Sequence, residues 1–150
     1  MHDDVKNLFK EKGLRITPQR LEIWNIVKKM DTHPATEDVF ELVRKRFSNI
    51  SFDTVYRTLS LFEKFGIIKK VHYFTNRTLY DTNLAPHHHF VCTRCKKIID
   101  FTWEDMDNAD IPDYVRSMGQ PDSVYVEIRG ICKECLKKEN RSKSKKKLSR

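Results

Sequence analysis

The sequence predicts an α+β fold in which helices come first and short strands follow. In residues 3–62, apolar residues recur at helical spacing, and capping residues precede the helical segments. From residue 67 onward, β-branched and aromatic residues form short runs that turn residues separate. Four cysteines lie in two Cys-x-x-Cys pairs in this second part. A chain of 150 residues is long enough for two small domains, one helical and one mixed.

Three helices are predicted before residue 48. The first covers residues 3–12 and ends at Gly13, a residue that readily adopts the left-handed conformation of a helix end. Thr17 caps the second helix, which continues to about residue 30 with Pro18 at its first position. The third begins at Thr36 and carries acidic residues in its first turn. Their predicted inward-facing residues are Leu21, Ile23, Trp24, Ile26, Val27, Val39, Phe40, Leu42, Val43 and Phe47.

The fourth predicted helix begins after Ser51 and ends at Gly66. One apolar stripe along this helix is predicted to be buried. Arg57 lies roughly opposite the stripe and Tyr56 lies at its margin, so both side chains are expected to face outward. The stripe consists of Phe52, Val55, Leu59 and Phe62.

Two β-prone runs at residues 67–74 and 77–81 follow, and their junction at Thr75-Asn76 predicts a hairpin. Three helices and a hairpin, preceded by one additional helix, are typical of a winged helix-turn-helix domain, which we predict over residues 1–81. The alternative is an ordinary small helical domain in which Tyr56 and Arg57 are exposed without a function.

Residues 82–138 are predicted to form a small α/β domain. Its predicted strands cover residues 90–92, 97–101 and 123–130, with an acidic helix at residues 104–117. Because this short sheet has apolar positions with few partners in the same chain, we expect it to pair with a second copy as a homodimer. Residues 139–150 are rich in lysine and poor in apolar residues, and they are predicted to be a disordered basic tail.

The formal net charge of +8 is distributed unevenly. Residues 1–80 contain 15 basic and 10 acidic residues, residues 81–136 contain 6 and 10, and residues 137–150 contain 8 and 1. The first domain is thus positive, as suits a domain that faces DNA, whereas the cysteine-containing domain is negative, as suits metal binding. The tail is interpreted as a solubilising end, with attraction for phosphate as the alternative.

The cysteine spacing predicts a structural zinc site. Two thiolates with two residues between them can bind one ion, and two such pairs complete the tetrahedral four-thiolate shell of structural Zn²⁺. The alternative is a pair of disulfides. Because neither a secretory signal peptide nor a long apolar run is evident, we expect a reducing cytoplasm and no membrane partner. The predicted ligands are Cys92, Cys95, Cys132 and Cys135.

A histidine triplet at residues 87–89 is a second candidate metal site. Side chains alternate along an extended strand, so His87 and His89 project to the same face as a two-residue chelate. Each candidate also fits a structural role, in a turn, a polar loop or a solvated strand end, and spacing alone does not bring them together. The further candidate ligands are His33, at a helix-helix turn, and Asp81 and Asp100.

Several motifs run in order over residues 5–138. They are Gly13-Leu-Arg-Ile-Thr-Pro-Gln-Arg20, His33-Pro34, Thr54-Val-Tyr-Arg-Thr-Leu59, Leu79-Tyr-Asp81, His87-His-His-Phe-Val-Cys92, and the two cysteine pairs. Together these motifs resemble the ferric uptake regulator (Fur) superfamily. The resemblance implies a homodimeric bacterial repressor with an amino-terminal winged helix, a carboxy-terminal dimerisation domain, a structural zinc and a regulatory metal.

The resemblance also implies which residues bind the regulatory metal. Three imidazoles and two carboxylates without a thiolate suit Fe²⁺ or Mn²⁺ and leave Zn²⁺ possible. The absence of a thiolate argues against a zinc-uptake sensor. The implied ligands are His33, Asp81, His87, His89 and Asp100.

Within the superfamily, the chain is most similar to the peroxide-sensing PerR subfamily. PerR has aspartate where this chain has Asp81 and Asp100, whereas iron-sensing members usually have glutamate there. Pro86 and Val124 also stand where a further metal site of some iron regulators has histidine. The segment Thr54-Val-Tyr-Arg-Thr-Leu59, however, is more similar to the iron regulators. An iron-responsive Fur is therefore the alternative, and a haem-responsive regulator similar to Irr is the third interpretation.

The resemblance implies DNA-contacting residues and a mechanism. Tyr56 is assigned to a base or thymine methyl group, Thr54 and Arg57 to phosphates, and Arg15 to the minor groove. A palindromic operator is expected to be bound in a metal-dependent manner and released when Fe²⁺ and peroxide oxidise His33 or His87. A hydrolase and a zinc-stabilised protein-binding module are the competing classes, but no nucleophile elbow, phosphate loop or dedicated general base supports an enzyme.

Overall fold

The computed structural model describes residues 2–30, 33–71 and 77–148, with side chains for residues 5–141 of these ranges. The chain divides into two compact units, Met1–Leu84 and Ala85–Arg150. Over the described ranges, helices precede strands in the first unit and alternate with them in the second, which confirms the predicted α+β fold. None of the helices in the described ranges has both the length and the apolar character needed to cross a membrane.

The first unit contains the four predicted helices. Both glycines predicted at helix ends adopt positive φ angles, 68° at Gly13 and 64° at Gly66, where a side chain would be strained. The Thr17 side chain accepts a hydrogen bond from the Arg20 amide at 3.2 Å, and Ser51 accepts one from the Thr54 amide at 3.1 Å. The helices are α1 (His2–Glu11), α2 (Pro18–Lys29), α3 (Thr36–Val43) and α4 (Phe52–Lys64).

The helices enclose an apolar core. The ring of Phe62 lies 5.3 Å from Phe9 and 6.2 Å from Trp24, centroid to centroid. Two residues differ from the prediction, since Leu42 and Phe52 are exposed rather than inward. Phe52 is the first residue of α4, where its ring packs edge-on against Phe40 at the surface. Fully buried core residues include Ile23, Val27, Val39, Val43, Val55 and Leu59.

A two-stranded antiparallel sheet, β1 (Lys69–Val71) and β2 (Leu79–Asp81), completes the first unit. The predicted turn at Thr75-Asn76 lies outside the described residues. The sheet is tied to the segment before α3, because Ala35 forms a bridge with Leu79 and the Tyr80 amide donates to the Pro34 carbonyl at 3.0 Å. This pairing brings the chain at residue 33 next to the end of β2.

The second unit is built on a three-stranded sheet with the order β4-β3-β5. β3 (His88–Cys92) pairs with β4 (Ile98–Phe101) in an antiparallel register and with β5 (Glu127–Gly130) in a parallel register. A parallel neighbour requires a long crossover connection, and residues 102–126 provide it. β5 begins later than the predicted strand at residues 123–130.

The crossover contains two short helices, α5 (Glu104–Asp107) and α6 (Asp113–Arg116), instead of the single predicted helix at residues 104–117. Pro112 accounts for the break. Proline disfavours the helical conformation of the preceding residue and has no amide hydrogen to continue the hydrogen-bond ladder.

The last helix, α7 (Lys133–Leu148), differs from the prediction of a disordered tail at residues 139–150. Residues 139–148 are helical, and residues 149–150 lie outside the described residues. Lysine, arginine and glutamate have good intrinsic helix propensity, and the helix starts between two cysteines that anchor its first turn. The low content of apolar residues, on which the prediction of disorder rested, therefore did not exclude a helix.

Candidate metal centres and nucleic-acid interface

The four cysteines converge because two strands of the second unit are parallel neighbours. Cys92 ends β3, and Cys95 follows in the turn that leads to β4. Cys132 follows β5, and Cys135 lies in the first turn of α7. Since Cys92 pairs with Gly130 in the register of β3 and β5, both Cys-x-x-Cys pairs reach the same end of the sheet.

The distances between the thiols fit a tetrahedral zinc ion. The Sγ atoms of Cys92 and Cys135 are 3.9 Å apart, and those of Cys95 and Cys132 are 3.8 Å apart. Four sulfurs at about 2.3 Å from one ion would be about 3.8 Å from each other. A disulfide requires about 2.05 Å between sulfurs, and all four cysteines are free thiols. The geometry therefore favours zinc over the disulfide alternative.

Two of these thiols have shifted pKa values, and the shifts are in opposite directions. Backbone amides of Cys132 and Cys95 donate to the Cys92 sulfur at 3.3 and 3.5 Å, and they lower the pKa of that thiol to about 6. Burial raises the pKa of Cys135 to about 12. Zinc must therefore displace a proton from Cys135 at neutral pH, and zinc affinity is expected to rise with pH.

The first group of predicted regulatory ligands lies in the first unit. The Nε2 atom of His33 is 3.6 Å from Asp81 Oδ2, and the two side chains are only 5% and 6% exposed. The other carboxylate oxygen of Asp81 accepts a hydrogen bond from the Asn83 amide at 2.7 Å. The antiparallel bridge between Ala35 and Leu79 explains this placement. His33 lies two residues before Ala35 and Asp81 lies two residues after Leu79, so the two side chains come next to each other.

The second group lies on adjacent strands of the second unit. His89 faces Asp100 directly in the register of β3 and β4, and its Nε2 is 3.4 Å from Asp100 Oδ1. The Nε2 atoms of His87 and His89 are 2.9 Å apart, and Asp100 Oδ2 lies 3.9 Å from His87. The predicted alternation thus places both imidazoles and one carboxylate together, within 4.8 Å of one another.

Hydrogen bonding indicates which nitrogen of His87 is available to a metal ion. The Nδ1 atom lies 2.7 Å from the carbonyl oxygen of Ala85, and a carbonyl can only accept. Nδ1 must therefore carry the proton, and Nε2 presents its lone pair towards His89. A backbone carbonyl that orients an imidazole in this manner is a common partner of metal-binding histidines.

The second group fits Fe²⁺ or Mn²⁺. At a metal-nitrogen distance of about 2.1 Å, two nitrogens bound at right angles are about 3 Å apart. The observed 2.9 Å between the two Nε2 atoms matches this value. Imidazole and carboxylate donors without a thiolate suit both metals and also accept Zn²⁺.

His88 projects to the opposite face of β3 and is fully buried. Its Nδ1 accepts a hydrogen bond from the Val126 amide at 3.2 Å, so the proton lies on Nε2. Nε2 is 3.3 Å from Asp107 Oδ1, although the direction of this contact is poor for a hydrogen bond. His88 thereby links β3 to α5 and to the segment before β5.

Tyr125, one residue at the second group, was not predicted from the sequence. Its hydroxyl oxygen lies 2.8 Å from His89 Nδ1. The two residues are 36 positions apart, and Tyr125 lies just before β5, the strand that pairs with β3 in a parallel register. Only the register of β3 and β5 reveals this contact, and no local motif encodes that register.

The residues assigned to DNA contact lie on the surface of the first unit. On α4, the side chain of Tyr56 is 44% exposed and that of Arg57 is 78% exposed. Arg57 pairs with Asp53, one turn earlier, at 2.7 Å, and an ion pair this exposed contributes little stability. Thr54 is half-buried with its hydroxyl 2.8 Å from the Ser51 hydroxyl, and Arg15 is exposed beside the start of α2. These side chains are accessible to a nucleic acid.

Comparisons with known proteins identify relatives along most of the chain. The model of the ferric uptake regulator family matches residues 11–116. The peroxide-responsive repressor PerR of Staphylococcus epidermidis is 32% identical over 142 residues, which cover 93% of this chain and 93% of that protein. The peroxide operon regulator of Bacillus subtilis is 34% identical over 133 residues, or 88% and 91% of the two chains. The solved structure of the Helicobacter pylori ferric uptake regulator Fur matches with a TM-score of 0.73 and 25% sequence identity. The match covers 89% of this chain and 90% of that one.

Proposed function

The chain belongs to the ferric uptake regulator family, and from this membership we propose that it is a metal-dependent DNA-binding repressor that responds to peroxide. Members of this family are transcription regulators, which agrees with the expectation that the chain is not an enzyme. The observation that carries the proposal is the nitrogen and oxygen donor set of His87, His89 and Asp100, which fits Fe²⁺ or Mn²⁺. Two similar proteins that respond to peroxide favour peroxide over iron as the signal.

In this proposal the two metals have separate tasks. Structural Zn²⁺ is held by the four cysteines, within a dimerisation domain over residues 82–138. Regulatory Fe²⁺ or Mn²⁺ is held jointly by the two groups of histidine and aspartate ligands. The winged-helix domain over residues 1–81 binds a palindromic operator in the cytoplasm, as one half of a homodimer. The proposed regulatory ligands are His33, Asp81, His87, His89 and Asp100.

Metal binding is proposed to act by joining the two units. His33 and Asp81 belong to the first unit and the other ligands to the second, so one shared ion restricts the movement of α4 relative to the dimer. Two recognition helices must lie about 34 Å apart, one turn of the duplex, to occupy both halves of a palindrome. The metal therefore selects the conformation that fits the operator, and its loss releases the DNA.

The proposed peroxide response is oxidation of a ligand. When bound, Fe²⁺ would promote cleavage of the O–O bond of peroxide, with the imidazole ring as the net donor of the two electrons. His33 or His87 gains one oxygen atom on its imidazole ring, and the second oxygen of hydrogen peroxide leaves as water. The oxidised ring is a poorer ligand, so the two groups separate and operator binding ends.

Peroxide treatment of the Fe²⁺-loaded protein is expected to add 16 Da, one oxygen atom, to a peptide that contains His33 or His87 and to abolish operator binding. Mass spectrometry of peptides and a gel-shift titration on the same sample measure the two effects. The DNA probe is a duplex selected from a random pool by the Mn²⁺-loaded protein. Mn²⁺-loaded protein is the control, and it is expected to keep both its mass and its DNA affinity.

The same experiment separates the two candidate signals. Operator binding that requires Fe²⁺ but persists after peroxide, without a gain of oxygen on either peptide, supports an iron-responsive regulator. This alternative is favoured by the recognition segment Thr54-Val-Tyr-Arg-Thr-Leu59. DNA binding that does not depend on either metal contradicts the proposed function itself.

Substitutions on α4 are expected to separate base recognition from phosphate binding. Tyr56→Ala is expected to weaken binding to the selected operator by about 1–3 kcal/mol while leaving binding to random DNA nearly unchanged. Arg57→Ala is expected to weaken both and to reduce the salt dependence of binding by about one charge. Fluorescence anisotropy at several salt concentrations measures both effects. Arg116→Ala, an exposed cation of the second unit, is the control, and equal effects of all three substitutions would contradict the assignment.

A further inference from the structure

Tyr125 contacts a proposed metal ligand through its side chain, although no family motif in this chain includes this tyrosine. Its hydroxyl oxygen is 2.8 Å from His89 Nδ1, and the two rings lie 5.5 Å apart with 60° between their planes. The ligand nitrogen of His89, Nε2, points away from the phenol towards His87 and Asp100. Tyr125 thus contacts His89 on the side opposite to the metal-binding position.

Backbone hydrogen bonds hold this tyrosine against β3. The His89 amide donates to the Val126 carbonyl at 3.2 Å, and the Val126 amide donates to His88 Nδ1 at 3.2 Å. The residue next to Tyr125 is therefore fixed by two consecutive histidines of β3. Although the Tyr125 side chain is half exposed, its hydroxyl has a defined position relative to His89.

The two metal-ligand histidines have different hydrogen-bond partners. His87 faces a carbonyl, which accepts only and thus keeps the proton on Nδ1. His89 faces a phenol, which both donates and accepts. A phenol is therefore compatible with either neutral tautomer of His89, whereas a carbonyl is compatible with one.

A neutral imidazole that binds a cation through Nε2 carries its proton on Nδ1, and in His89 that proton would be donated to the Tyr125 oxygen. We propose that Tyr125 is a positioning residue for the regulatory metal, because its hydroxyl accepts this hydrogen bond and orients the ring that carries the ligand nitrogen. This inference rests on the proposed function and deepens it.

Tyr125→Phe tests the inference, since it removes the hydroxyl and keeps the ring. The full chain with its structural zinc is titrated with Mn²⁺, and the dissociation constant is measured by electron paramagnetic resonance. We expect about a 10-fold weaker Mn²⁺ affinity, the lower end of the range for lost partners of ligand histidines, with unchanged zinc content. Tyr114→Phe, an exposed tyrosine in the same unit, is the matched control and is expected to leave the Mn²⁺ affinity unchanged.

A spectroscopic measurement provides a readout that a merely structural role would not change. In ¹⁵N-labelled protein that contains only the structural zinc, the Nδ1 shift of His89 is expected to report a hydrogen bond to the Tyr125 hydroxyl in the wild type. In Tyr125→Phe, this hydrogen-bond signature is expected to be lost. If the variant does not fold, the absence of the signature in the wild type would still overturn the inference.

The outcomes distinguish this inference from the proposed function. If the wild type binds Mn²⁺ and Tyr125→Phe binds it within twofold as tightly, the positioning role of Tyr125 is overturned and the repressor proposal stands. A His89 Nδ1 atom without a hydrogen bond to the Tyr125 hydroxyl in the wild type also overturns it. Failure of the wild type to bind Mn²⁺ at these ligands contradicts the proposed regulatory site instead.

Discussion

Loss of the four-cysteine zinc is expected to unfold the second unit while the first unit stays folded. The reason is that the two units differ in the size of their buried apolar clusters. The first unit buries a continuous apolar cluster that includes Phe9, Phe62 and Tyr80. In the described part of the second unit, the buried cluster consists of Cys92, Cys132 and Cys135, with Phe90 packed against it. Structural zinc contributes about 10 kcal/mol or more to such domains, and this small core offers little to replace it.

Cys132→Ser is therefore expected to abolish zinc binding and to expose the amides of β3 and β4 to solvent exchange. Metal analysis measures the zinc content, and hydrogen exchange with mass spectrometry measures protection in residues 88–101. Thr93→Ser, a conservative substitution between two cysteines, is the control and should retain zinc and protection. Equal protection in Cys132→Ser and the wild type would show that the sheet is stable without the metal. Protection of α2 and α4 is expected to persist in all three proteins.

His33→Ala is expected to abolish metal-dependent operator binding without affecting the zinc or the dimer. The substitution removes the imidazole that we assign to the regulatory metal from the DNA-binding unit, so the ion can no longer restrict that unit. Operator affinity in the presence of Mn²⁺ is expected to fall to the non-specific level, about 10³-fold or more weaker. A gel-shift titration with Mn²⁺, compared with one in the presence of a chelator, measures this loss.

Two further measurements make the His33→Ala result interpretable. Zinc content and sedimentation velocity should match the wild type, because the cysteines and the sheet belong to the other unit. Asp81→Asn, which keeps the volume of the second ligand in the same unit and removes its charge, is expected to show a similar but smaller loss. Unchanged operator affinity of His33→Ala in Mn²⁺ would contradict a metal that joins the two units.

Features encoded by adjacent residues were predictable from the sequence. Thr17 and Ser51 cap the helices that they were predicted to cap, and the spacing of the cysteine pairs predicted that the four thiols converge. The alternation at residues 87–89 predicted two imidazoles on one face of β3. These predictions succeeded because helix capping, short chelates and strand alternation depend on neighbouring residues.

Features that depend on distant contacts were not predictable in the same manner. No local signal places Tyr125 beside His89, because a parallel register between strands 38 positions apart decides it. The break at Pro112 was missed because the acidic composition of residues 104–117 dominated the prediction. The pairing of His33 with Asp81 depends on the bridge between Ala35 and Leu79, and the sequence suggested it only through family resemblance.

The parallel pairing of β3 and β5 also has a consequence for the order in which we expect the protein to acquire its metals. Cys132 is synthesised 40 residues after Cys92, so the zinc site closes a long loop and cannot form until α7 has begun to emerge. His89 and Tyr125 come together only through that same closure. We therefore expect zinc loading to be a maturation step that precedes iron or manganese sensing. A cell starved of zinc would accumulate immature repressor, and the genes it controls would be expressed whatever the peroxide level.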